Sequence, residues 1–133
     1  MNEDRTSSIN IGGVQFPLIL TTKATKEIGK RYGGLENLGE KLMKSDKFEK
    51  ALDEITWLIA LLANQAILIH NFQHRDDKAG QKELLTEEEI ELMTTPYDLG
   101  HYKDAIINTM QLGTQRMVES EREIGEGKNG EGA

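Results

Sequence analysis

The chain has 133 residues and a formal net charge of -7, with 37% hydrophobic and 29% charged residues; that suits one compact domain and is too little for two domains that each bury a core. It has no cysteine, which excludes disulfide scaffolds, thiolate metal sites and cysteine nucleophiles together. The acidic excess lies after Thr86, where Lys103, Arg116, Arg122 and Lys128 face a larger number of carboxylates, and such a balance argues against nucleic acid or an anionic membrane as ligand, because both are held by concentrated basic surface.

The polar start MNEDRTSS lacks the basic and apolar blocks of a signal peptide, so a cytoplasmic protein is expected. Ser8 to Ile11 alternates polar and apolar residues, Gly12-Gly13 intervenes, and Val14, Phe16, Leu18 and Leu20 then share one face of a second period-two run. Two glycines between such runs supply the positive φ angles of a tight hairpin turn, and Pro17 implies an unpaired edge on the second strand. Thr21-Thr22 can cap a helix whose stripe is Ala24, Ile28 and Tyr32, ended by Gly33-Gly34. Leu35, Leu38 and Leu42 mark a short second helix, and Ser45 or Asp46 caps a third that runs from about Lys47 to Phe72.

This third helix is amphipathic through Phe48, Ala51, Leu52 and Ile55, then apolar all round from Trp57 to Ala63 and again from Ala66 to Ile69. Asn64-Gln65 breaks the run and a charged stretch precedes it, so it reads as a core helix and not as a membrane span. Gln73 to Lys82 reads as an exposed connector. Thr86 with Glu89 forms a capping-box signal for a fourth helix through Ile90 and Met93, stopped by Thr95-Pro96. Asp98 can open a last helix with Tyr102, Ala105, Ile106, Thr109, Met110, Gly113 and Met117, ending near Glu121. The expected organisation is one helical domain over residues 1–122 and a disordered, acidic, glycine-rich tail over 123–133, where GEGKNGEGA offers nothing to bury.

Candidate chemistry is sparse. His70 and His74 are four apart and could share a metal on one helix face, but Asn71 stands where a zinc protease needs its Glu, and a third ligand would have to come from a distant position such as His101. The Gly-Gly pairs are not followed by the Lys-Ser/Thr of a phosphate loop, and Asp76-Asp77 and Glu87 to Glu89 lack the spacing of a calcium loop. No catalytic residue, metal or cofactor is assigned. Trp57 is read chiefly as core, with partner binding as the minority reading. Met93, Met110 and Met117 suit either gap-filling or a yielding surface for varied apolar partners.

In order, INIGGVQFPLILTT, TKATKEIGKRYGGLENL, ALDEITWLIALLANQAILIHN and LLTEEEIELMTTP resemble the small tail assembly chaperones of siphophages and prophages of Gram-positive bacteria, over roughly Ile9 to Val118. The resemblance implies a non-enzymatic cytoplasmic protein that coats the tape measure protein before the tail tube polymerises and is absent from the mature virion. It also implies a homo-oligomer and a longer form, made by frameshifting near Glu126-Gly127-Lys128, that recruits the major tail tube protein. The expected fold is α+β and mainly α-helical, with an N-terminal β-hairpin packed on a bundle of about five helices around the long apolar one. The residues expected to bind partners are Val14, Phe16 and Leu18 on the hairpin and Trp57, Leu61 and Ile69 on the long helix. An alternative remains open: a prophage regulatory or adaptor protein that binds a host protein through its acidic C-terminal helix.

Overall fold

The computed structural model describes residues 6–34 and 48–112. Strands β1 (Thr6–Ile11) and β2 (Val14–Ile19) form an antiparallel hairpin, followed by α1 (Thr22–Tyr32), the long α2 (Phe48–Gln73), a turn of 3-10 helix (Lys78–Gly80), α3 (Glu87–Met93) and α4 (96–112). The fold is α+β and mainly helical. The expected helix around Leu35, Leu38 and Leu42, the caps at Ser45 and Asp46, and the tail after 122 lie outside the described residues.

The hairpin turns at Gly12 and Gly13, with φ of 59° and 85°, the two left-handed angles of a type I′ turn. Asn10 Oδ1 accepts from the Gly13 amide at 3.0 Å. The register pairs Ile11 with Val14, Ile9 with Phe16 and Ser7 with Leu18, so these six side chains share one face. Counting from the two-residue turn puts Ser8 and Pro17 in a wide, non-hydrogen-bonded pair, where the missing proline N–H points outward and no ladder bond is lost.

Helix α1 begins where Thr21 accepts from the Ala24 amide at 3.0 Å and ends at Gly33, whose φ of 82° is the left-handed cap geometry. Ala24, Ile28 and Tyr32 are buried, as their four-residue spacing requires. Helix α1 lies antiparallel along α2: at one end Thr21 donates to Gln65 Oε1 at 2.5 Å, and at the other Tyr32 meets Trp57 edge to face with centroids 6.0 Å apart.

By length and composition α2 is apolar enough to cross a membrane, with mean hydropathy 1.5 over its best window. In this fold β2, α1 and α3 pack on it. Leu58, Ile59, Leu62 and Ala63 are fully buried and join Ile9, Leu18, Ile28, Ile90 and Ile106 in one core. Burying such a side chain contributes about 2 kcal/mol, so the centre of α2 anchors the hairpin and the later helices alike.

The segment from Gln73 to Lys82 is exposed, as expected of a connector, and side chains of α2 also tie it and the residues after it down. Asn64 Nδ2 donates to the Leu85 carbonyl at 2.8 Å while its Oδ1 accepts from the Leu85 amide at 2.7 Å. Asn71 makes the same pair of bonds to Lys82, at 2.9 and 2.8 Å. Seven residues separate the two asparagines, two helical turns on one face, and each holds the returning backbone like a strand partner. Gln81 adds bonds to the Asn71 and His74 carbonyls.

Helix α3 opens on the expected capping box, with Thr86 accepting from the Glu89 amide at 3.1 Å and Glu89 accepting from the Thr86 amide at 3.0 Å. Helix α4 repeats the device: Asp98 accepts from the Thr95 amide at 2.9 Å and donates its own amide to Thr95 Oγ1 at 3.3 Å. Thr95-Pro96 therefore starts α4 as well as ending α3, two residues earlier than Asp98 suggests, because proline fits the first helical position. Helix α4 is fastened to the hairpin where Tyr102 Oη donates to the Asn10 carbonyl at 2.5 Å and the Ser7 and Thr109 hydroxyls share a 2.5 Å bond.

Candidate functional site

The six residues expected to bind partners end in different surroundings. Leu18 is fully buried, so it serves the core and the free chain presents none of it. Its place toward the open end of the hairpin puts it in the core with the centre of α2, whereas Val14, on the same face but beside the turn, is 55% exposed. Phe16, between them, is half-buried against the core.

Trp57 and Leu61 are likewise half-buried, and α1 is the reason. Trp57, Leu61, Gln65, Leu68 and Phe72 recur at helical spacing along one stripe of α2. Helix α1 has 11 residues, about 16 Å, which reaches from Tyr32 beside Trp57 to Thr21 beside Gln65 and no further. Past that point the stripe is uncovered: Ile69 is 38% and Phe72 68% exposed. With Leu68, Gln65, Gln73, Thr21 and Lys23 they line a recess of about 330 Å³ at the end of α1.

At the α1 end of the stripe Trp57 is capped by charge. The Arg31 guanidinium lies 4.4 Å from the Trp57 ring centroid and its Nε donates to Glu54 Oε2 at 3.1 Å. The Tyr32 hydroxyl donates to the same Glu54 oxygen. Burial first, and then the neighbouring Glu54 carboxylate, push the Tyr32 phenol well above its ordinary range. This cluster joins α1 to α2 and leaves Trp57 little free face.

A second apolar set surrounds the hairpin tip and the α3–α4 corner; Val14 and Met93 in it were candidates from the sequence, Leu92 and Tyr97 were not. Met93 lies against Gly12 with Cε only 2.4 Å from where a Cβ would stand, yet the residue is 56% exposed. Leu92 and Tyr97 are 77% and 75% exposed. Part of the signal was present in EEEIELM: at 100° per residue Leu92 stands 200° from Ile90, so once Ile90 is buried Leu92 cannot be, whereas Met93, three residues on, shares the face of Ile90 and is open because it reaches only the hairpin turn. Val14 and Met93 thus stand open beside the hairpin turn, Leu92 and Tyr97 on the α3–α4 corner, and Ile69 with Phe72 in the recess at the end of α1.

His70 and His74 stack with centroids 4.2 Å apart. One nitrogen of each ring is engaged by backbone: His70 Nε2 donates to the Gly80 carbonyl at 2.8 Å and His74 Nδ1 to the His70 carbonyl at 2.9 Å. The pair fastens the end of α2 to the following turn. Among the described residues no three His, Asp or Glu side chains converge as a metal site would require.

Comparison with known protein families, curated proteins and solved structures returned no match.

Proposed function

We propose that this protein acts by binding other proteins, as a tail assembly chaperone that holds the tape measure protein soluble until the tail tube forms. The observation that carries the reading is the set of large apolar side chains left open around a packed core: Ile69 with Phe72 in one recess, Val14 and Met93 beside the hairpin turn, and Leu92 and Tyr97 on the α3–α4 corner. Exposed apolar groups in clusters mark surfaces that meet protein, and a long helical client offers apolar stripes at many points along its length. Several modest contacts, repeated by successive copies, hold such a client by avidity and still release it when the tube subunits arrive. The sequence resemblance supplies the identity of the client and the prospect of a frameshift-extended form that recruits the tube protein.

The test is co-expression of the tape measure protein with and without this chain. The client is expected to be soluble and to co-purify only when the chain is present, and Phe72→Ser with Leu92→Ser is expected to abolish the rescue while leaving the fold intact. A client that stays insoluble with the wild-type chain rules the reading out.

A further inference from the structure

We propose that the groove between the first turns of α2 and the α3–α4 corner docks an apolar helix of a partner protein that carries arginine or lysine side chains at its edges. The groove holds about 330 Å³ and is walled by Glu49, Leu52, Asp53 and Thr56 on one side and Glu91, Thr94, Pro96 and Leu99 on the other. Its lining is mixed: Leu52, Pro96 and Leu99 are apolar, and of the threonines Thr56, Thr94 and Thr95, Thr94 donates to the Ile90 carbonyl at 2.6 Å and Thr95 to Asp98 Oδ2 at 3.1 Å. Leu99 is buried, Leu52 packs against the core, and the one buried hydroxyl, that of Thr56, is already spent on the Leu52 carbonyl at 2.8 Å.

The rim is charged and of one sign. Glu49, Asp53 and Glu91 stand on it, and among the described residues no Lys, Arg or His lines the groove and none of the three carboxylates has an ion-pair partner. They do not converge as a bound metal ion would need. Glu49 and Asp53 are one turn apart on α2 and Glu91 stands across the opening, so the charge flanks the groove on both walls. Two basic side chains one turn apart on one edge of a partner helix match the α2 pair and a third on its other edge matches Glu91, while its apolar stripe enters between the walls. Leu92 and Tyr97, next in the chain to Glu91 and Pro96, are largely exposed and are the apolar side chains of this corner that a helix longer than the groove can reach. Nucleic acid and anionic membranes are repelled by the same rim.

The inference rests on the protein-binding reading above and names the chemistry of one partner segment. Two fluorescent helical peptides of about 18 residues, roughly 27 Å long, serve as probes: one with a leucine stripe flanked by arginines, the other with glutamates in their place. The full chain is expected to bind the arginine peptide at least about tenfold more tightly at low salt, with most of the difference gone near 0.5 M salt. Asp53→Lys with Glu91→Lys is expected to weaken it by a similar factor without changing the thermal melt, because both side chains are exposed. Leu92→Ser is expected to weaken both peptides alike. Amide resonances of Leu52, Thr56 and Leu99 are expected to shift. Equal affinity for the two peptides, indifference to the charge reversal, or shifts confined to Ile69 and Phe72 would overturn the proposal. Co-expression with the client keeps the two readings apart: a chain that discriminates the peptides without rescuing the client sinks the chaperone and keeps the groove, and the converse sinks the groove alone.

Discussion

Replacing Asn64 by alanine removes the two bonds that hold Leu85, and the cost can be set against an internal control. Each such bond contributes about 1 kcal/mol net, and Leu85 is partly buried, so its amide and carbonyl regain water incompletely. Asn64→Ala is therefore expected to cost about 2–3 kcal/mol. Asn71→Ala removes bonds of matching length to Lys82, but there the bonds are exposed and water replaces them, so about 0.5 kcal/mol or less is expected. Urea unfolding followed by far-ultraviolet circular dichroism reads both. With a slope of about 2 kcal/mol per molar, the Asn64 variant should lose about 1 M in its midpoint and the Asn71 variant about 0.25 M or less. Equal losses would refute the reasoning, since they would mean that burial does not set the worth of these bonds.

Three further outcomes are expected. Gly12→Ala should destabilise more than Gly13→Ala: both sites have positive φ, costing about 1–2 kcal/mol, but only a Cβ at Gly12 meets Met93. Urea midpoints check the order, and Met93→Ala should bring the two closer. Leu58→Ala should cost about 3 kcal/mol because the side chain is fully buried, whereas Leu92→Ser should stay within about 0.5 kcal/mol; a matching loss at Leu92 would mean that the corner is core. The folded chain holds the Tyr32 proton more tightly than the unfolded chain does, so that contribution is complete below about pH 10 and is lost as pH rises beyond it. Tyr32→Phe should flatten this alkaline decline in a series of melts, and an unchanged slope would show that Tyr32 is not its source.

Local rules carried much of the fold. The glycine pair fixed a type I′ hairpin, the Thr86–Glu89 box opened α3, and the four-residue stripe of α1 is buried as its periodicity demands. Thr95 was misread because a proline after a threonine signals an end and a beginning equally; the second signal, Asp98 three residues on, was in view. The loop after α2 was not legible as ordered, since its partners are side chains of α2 at Asn64, His70 and Asn71, and no local pattern announces a bond over 10 to 21 residues. The candidate surface was harder still. Period-two spacing puts Val14, Phe16 and Leu18 on one face, but which of them stays open depends on where α2 ends beneath them. The exposure of Ile69 and Phe72 follows from α1 being shorter than α2, a relation between two elements that neither sequence states alone.

The central claim is that the open apolar side chains meet a protein client. A photo-crosslinking amino acid placed at Phe72, at Val14 and at Lys30, which is exposed on α1 away from its buried stripe, in cells that also make the tape measure protein, tests it most directly. Crosslinks to the client from Phe72 and Val14, with none from Lys30, are the expected result. Equal yields from all three positions, or none from any, would contradict the account.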